Sequence, residues 1–151
     1  MAKYAVIDIG TNSIKFHIAE KNADGQWSVV LDKANIARLG EGLQATGKIS
    51  PEAMDRNVEA VVAMAQRARE HNVNEIVAVG TMCLRTAQNA QEFVTRVKNA
   101  CDVTVEIIPG EEEARLAYLA VKSGIGLVKG NLTIFDTGGG STEFIFGHDQ
   151  Q

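Results

Sequence analysis

One six-residue pattern, Asp-x-Gly-x-x-Ser, occurs twice in the chain, as Asp8-Ile-Gly10-Thr-Asn-Ser13 and as Asp136-Thr-Gly138-Gly-Gly-Ser141. Each copy follows a short apolar run rich in β-branched residues and precedes another. Each therefore reads as a strand, a tight polar turn and a returning strand. The same hairpin device is thus used twice in one chain.

The intervening sequence alternates in type. Tyr4–Ile9, Ile14–Ala19 and Trp27–Leu31 are the first three strand candidates, with a turn over Asn22–Gly25. Arg38–Gly47 carries three glycines and reads as a loop. Ser50 offers a helix N-cap with Pro51 in the first turn, and Met54, Val58, Val61, Val62 and Ala65 recur at helical spacing to an end near His71–Asn72. Glu75–Val79 is a fourth strand. Asn89 with Glu92 three residues on has the form of a capping box opening a helix whose apolar face is Phe93, Val94 and Val97. Val103–Ile108 is a fifth strand, and Glu111–Ser123 a helix with Leu116, Leu119 and Ala120 on one face and Gly124 as its stop. After a loop over Gly126–Gly130, Leu132–Phe135 and Glu143–Phe146 frame the second turn. Three strands followed by alternating helices and strands predict a mixed α/β sheet flanked by helices.

Composition closes off other classes. With 45% hydrophobic and 23% charged residues over 151 positions, the chain is neither disordered nor low in complexity. Its 15 basic against 19 acidic residues leave a net charge of −4, which disfavours wrapping duplex nucleic acid. No apolar run approaches the ~18 residues of a membrane span, and the first residues lack a secretory cleavage pattern. Cys83 and Cys101 read as free thiols of a reducing compartment, so the expectation is a soluble cytoplasmic protein. The three histidines have no partner at metal-ligand spacing, and neither a Walker loop nor a Gly-x-Ser-x-Gly elbow is present.

The turns suggest a chemistry. An Asp at a strand end, followed at once by glycine and hydroxyl residues, puts backbone N–H groups, a hydroxyl and a carboxylate in one small volume. That set suits phosphate: glycine permits close approach, N–H and O–H donate, and the carboxylate holds a hydrated divalent cation. Glu111-Glu112-Glu113 opens a helix, where acidic residues complement the macrodipole. Successive residues point ~100° apart, however, so one of the three can face a cleft and serve as a general base. Arg38 and Arg85 are each able to clamp a phosphate or simply to sit in solvent.

Five segments taken together, Asp8–Ser13, Arg38-Leu-Gly-Glu-Gly-Leu43, Thr81…Arg85-x-Ala87-x-Asn89, Gly110-Glu-Glu-Glu-Ala-Arg115 and Asp136–Glu143, resemble the exopolyphosphatase/guanosine pentaphosphate phosphohydrolase (Ppx/GppA) family. The resemblance implies an RNase H-like lobe of the actin/Hsp70/sugar-kinase superfamily. It also implies hydrolysis of terminal phosphoanhydrides of inorganic polyphosphate, or of pppGpp to ppGpp, with Mg²⁺ or another divalent cation. Carried over by motif, Gly10, Thr11, Asn12 and Ser13 form the first phosphate loop and Gly138, Gly139, Gly140 and Ser141 the second. Asp136 and Glu143 organise metal and water, with Asp8 a further candidate. Glu113 is the catalytic carboxylate, Glu112 the second choice, and Arg85 and Arg38 phosphate ligands.

The family is about twice as long as this chain. The expectation is therefore a complete lobe over residues 1–124 and the first hairpin of a second lobe over 125–151. Phe135, Phe144 and Phe146 would be left uncovered, with dimerisation or aggregation through residues 131–147. A sugar-kinase-like ATP phosphotransferase and a non-catalytic module that binds phosphate chains are the alternative readings.

Overall fold

The computed structural model describes residues 1–126 and 130–149. Strands β1 (Ala2–Ile9), β2 (Ile14–Lys21) and β3 (Trp27–Asn35) form an antiparallel meander. It is followed by helices α1 (Leu43–Thr46) and α2 (Pro51–Glu70), strand β4 (Glu75–Gly80), helices α3 (Met82–Thr86) and α4 (Ala90–Cys101), strand β5 (Val105–Ile107) and helix α5 (Gly110–Ile125). The five strands make one sheet in the order β3-β2-β1-β4-β5, with β4 and β5 parallel to β1. This mixed, helix-flanked sheet has the expected RNase H-like arrangement. β6 (Gly130–Thr137) and β7 (Thr142–Asp149) form a separate two-stranded sheet.

Alternation sets the core. Ala5, Ile7 and Ile9 of β1 and Ile14, Phe16 and Ile18 of β2 point one way and are buried. Met54, Val61 and Ala65 of α2 and Phe93 and Val97 of α4 meet them in one apolar cluster. Removing a side chain such as Phe93 from water contributes roughly 1.5–3 kcal/mol. α2 starts as its sequence predicts: the Ser50 hydroxyl accepts the Ala53 N–H at 3.1 Å, with Pro51 in the first turn. The opposite sheet face is thinly covered, and Val6 and Val77 remain exposed there.

Four expectations are corrected. The Asn89–Glu92 capping box does not form, because the Asn89 amide is drawn to a distant segment. It accepts the Ile49 N–H at 2.9 Å and donates to the Ile49 carbonyl at 3.0 Å, and makes no side-chain cap to α4. The glycine loop contains a single helical turn, α1, bracketed by left-handed Gly42 and Gly47. α3, a five-residue turn after β4, stands where the sequence pattern predicts no element. α5 runs through Gly124 to Ile125 and stops at Gly126, whose positive φ of 83° suits a chain reversal. The expected loop over Gly126–Gly130 lies partly outside the described residues.

α5 packs on the β6–β7 hairpin, with Tyr118 against Gly147 so closely that a side chain at 147 would collide with its ring. The helix buries no residue, and Leu116 and Leu119 on its expected apolar face stay exposed. Among the described residues no helix is long and apolar enough to cross a membrane.

Candidate functional site

The sequence repeat is also a structural repeat. Gly10 donates its N–H to the Ser13 carbonyl at 3.0 Å, and Gly138 donates to Ser141 at 2.9 Å, closing the same four-residue turn at both places. The two turns meet. A Cβ added at Gly139 would lie 2.7 Å from Asn12 Cβ, and one at Gly140 2.7 Å from Thr11 Oγ1, so this approach needs bare backbone. A third segment fixes the first turn from behind: Arg38 N–H donates to the Asn12 carbonyl and Gly40 N–H to the Thr11 carbonyl, both at 2.9 Å. The Thr11, Asn12 and Ser13 carbonyls are thus taken. The N–H groups of Thr11, Asn12, Ser13, Gly139, Gly140 and Ser141 donate no backbone hydrogen bond among the described residues. They are available to an anion.

Between the turns lies a cleft of about 340 Å³ whose lining includes every residue of Gly10–Ser13 and Gly138–Ser141, together with Asp8, Asp136, Glu143 and Glu113. Residues from both ends of the chain and from α5 are therefore brought to one place. Asp136 and Glu143 stand directly opposite in the β6–β7 register, which puts their carboxylates on one face. Asp8 is the penultimate residue of β1, and its Oδ1 is buried with no hydrogen-bond partner among the described residues. Burial raises the Asp8 pKa above 3.8; Lys15 opposes the rise and the charge of Asp136 adds to it.

The three adjacent glutamates separate as helical geometry demands. Glu113 lines the cleft. Glu112 takes a two-pronged bond from Arg115 at 2.8 and 2.7 Å and is absent from the lining. That bond, first among its causes, lowers the Glu112 pKa. Arg85 does not line the cleft either. Its Nη1 donates to the Ile108 carbonyl at 2.9 Å and to Glu113 Oε2 at 2.8 Å. Arg38, with a left-handed φ of 48°, borders an adjoining hollow of about 450 Å³ that shares Thr11, Asn12, Met82, Gly139 and Gly140 with the cleft.

Sequence reasoning did not assign four lining residues to the site, Lys15, Thr81, Met82 and Thr137. Lys15 had a signal: a four-residue turn over 10–13 pairs Ile9 with Ile14 and hence Asp8 with Lys15, the register observed. Thr81 and Thr137 had one as well, since both fall in segments that carry the family resemblance, whereas Met82 had none, because its place depends on how β4 and α3 meet the two turns.

Among the described residues no three His, Cys, Asp or Glu side chains converge as a ready-made metal cage. The carboxylates at the cleft suit an ion that takes only one or two protein oxygens and completes its shell with water and phosphate, as Mg²⁺ does. The unpartnered Asp8 Oδ1 is consistent with that use.

Comparison with known proteins agrees with this geometry. The Ppx/GppA phosphatase family matches residues 17–151. A guanosine-5′-triphosphate,3′-diphosphate pyrophosphatase of Photobacterium profundum is 36% identical over 95% of this chain and 29% of its own length. Exopolyphosphatase 1 of Mycobacterium bovis is 28% identical over 99% of the chain and 43% of its own. Among solved structures, the Ppx/GppA family member of Aquifex aeolicus superposes with a TM-score of 0.88 at 35% identity, covering 97% of this chain and 47% of that one. An exopolyphosphatase of Cytophaga hutchinsonii gives 0.91 at 32% identity, covering 97% and 46%. The chain thus spans less than half the length of these relatives. With the family matching residues 17–151, the chain belongs to the Ppx/GppA phosphatase family.

Proposed function

We propose that this chain supplies one wall of a phosphohydrolase cleft that removes the terminal phosphate of inorganic polyphosphate or of guanosine pentaphosphate. The observation that carries the reading is the convergence of both Gly-rich turns and Glu113 on a single cleft. The turns offer N–H groups and the Thr11, Ser13 and Ser141 hydroxyls to phosphate oxygens. Lys15 adds a positive charge and Arg38 a second cation at the adjoining hollow. A divalent cation, Mg²⁺ by preference, would be held by one or two carboxylates of the set Asp136, Glu143 and Asp8, with water and phosphate completing its shell, and when bound would neutralise charge on the phosphate oxygens.

Glu113 is the general base. It accepts a proton from water as the new oxygen–phosphorus bond forms and the bridging phosphorus–oxygen bond breaks, with the shortened chain leaving on its oxygen. Glu112, held by Arg115, is the less suited of the pair. Residues 1–124 would form one lobe and those from 125 onward begin the next, placing the cleft at the seam. Two free, buried thiols fit a cytoplasmic location.

Phosphate release from long-chain polyphosphate and from pppGpp tests this, measured for the chain, for Glu113→Gln, and for a version extended to the relatives' length. Glu113→Gln should slow the extended protein by roughly 10²–10⁴-fold. Absence of release from either substrate by the extended wild type would refute the proposal.

A further inference from the structure

From the contacts of Arg85 we infer that it is a positioning residue for Glu113 rather than a ligand of the anion; the inference rests on reading Glu113 as the water-activating carboxylate. Arg85 comes from α3, immediately after β4. One nitrogen, Nη1, binds the Ile108 carbonyl just after β5 and Glu113 Oε2 in the first turn of α5. The guanidinium therefore joins α3, the end of β5 and the start of α5 at one point. α5 buries no residue of its own, so its first turn needs such a tie to fix where Glu113 points.

The pair is sheltered. Its side chains are 23% and 18% exposed, while the Glu112–Arg115 pair one residue away is 59% exposed on its arginine. Sheltering strengthens the attraction and makes loss of one partner costly to the other. Glu113 Oε1 makes no hydrogen bond among the described residues and remains available to water. Arg85 itself is absent from the cleft lining. An arginine held by a carbonyl and a carboxylate, and turned from the cavity, orients the base and offsets its charge beside an anion. A lysine keeps the charge but not the planar fork that fixes guanidinium direction, so it should replace Arg85 only in part.

The decisive experiment is a double-mutant cycle on tripolyphosphate binding to the 151-residue chain with Mg²⁺, followed by calorimetry. Arg85→Met should weaken binding about three- to tenfold in the wild-type background, because Glu113 is left uncompensated. It should change binding less than twofold in a Glu113→Gln background, and Arg85→Lys should recover most of the loss. A tenfold loss from Arg85→Met in both backgrounds would mean that Arg85 holds the anion directly, and would overturn the inference. Ligand-free NMR supplies an independent readout. The Glu113 side-chain carboxyl carbon resonance should move in Arg85→Met and stay in place in Arg115→Met, and an unmoved resonance in Arg85→Met also overturns the inference. If the wild type binds no tripolyphosphate, the phosphate reading of the cleft fails on its own and the NMR result alone decides the pairing.

Discussion

At the scale of single residues, the cleft depends on atoms that are missing as much as on those present. Gly140 faces Thr11 Oγ1 and Met82 Cε, which a methyl group would approach to 2.7 and 2.9 Å, whereas one at Gly138 would meet only the Ser141 carbonyl at 3.6 Å. Gly140→Ala should therefore push the two turns apart and weaken tripolyphosphate binding at least tenfold. Gly138→Ala should cost under threefold, with both variants folded by circular dichroism. Equal losses would show that the close approach is unimportant. Cys83 shows the same dependence on packing in its titration. Its thiol is fully buried, and burial pushes its pKa from 9.0 up to about 11. The unfolded chain ionises this thiol about two pH units before the native protein does, so the unfolded state releases a proton that the native state keeps. The stability of the neutral buried thiol is fully present below pH 9 and is lost as pH rises toward 11, by roughly 1–3 kcal/mol. Cys83→Ala lacks this slope. The gap in urea stability between wild type and Cys83→Ala should narrow between pH 9 and 11, and a constant gap would contradict the account.

Elements show where local sequence signals suffice. β1 and β2 could be read because their alternation is strict and one face is wholly buried, so a slip of one residue would expose Ile7 and Ile9 together. α2 could be read because its cap, proline and apolar stripe agree. α3 and α1 could not: turns of five and four residues lack the length for a periodic signal, and they exist because β4 and the left-handed glycines around α1 set the chain direction. The site divides in the same way. The turns carry a local pattern, whereas the Arg85–Glu113 pair joins residues 28 apart that no spacing rule connects. Asn89 is the sharpest case, since its capping-box pattern is real but a long-range partner wins. Its amide satisfies both backbone groups of Ile49, which is 2% exposed. Asn89→Ala should therefore destabilise the fold by about 2–3 kcal/mol through stranded backbone groups. Glu92→Ala should cost under about 0.5 kcal/mol, as expected of a surface substitution. Chemical denaturation of both variants checks this, and a Glu92→Ala penalty comparable to that of Asn89→Ala would restore the capping box.

The whole molecule is limited by the β6–β7 hairpin. A two-stranded sheet has two open edges and is marginally stable unless something covers it. Here α5 covers one side, where Ile134 is buried. The other side presents Phe135, Phe144 and Phe146 at 65%, 60% and 77% exposure, the first two in edge contact with ring centroids 5.1 Å apart. Three adjacent exposed aromatics with free backbone at the edges form a surface that a second copy can cover in the same way on both partners. The 151-residue chain should therefore self-associate through this hairpin, with mass increasing over the micromolar to millimolar range in sedimentation equilibrium. Because the contact is apolar, raising salt should not disperse it. Replacing Phe144 and Phe146 by Thr keeps β-propensity while removing the apolar area, and should return the chain to a monomer. The same change bears on the cleft, since Glu143 and Asp136 sit on the strands that the aromatic cluster steadies. Loss of association with intact tripolyphosphate binding would separate the hairpin's role as a contact surface from its role as a cleft wall. A wild-type chain that stays monomeric at every concentration would show that α5 and the edge-paired phenylalanines are cover enough.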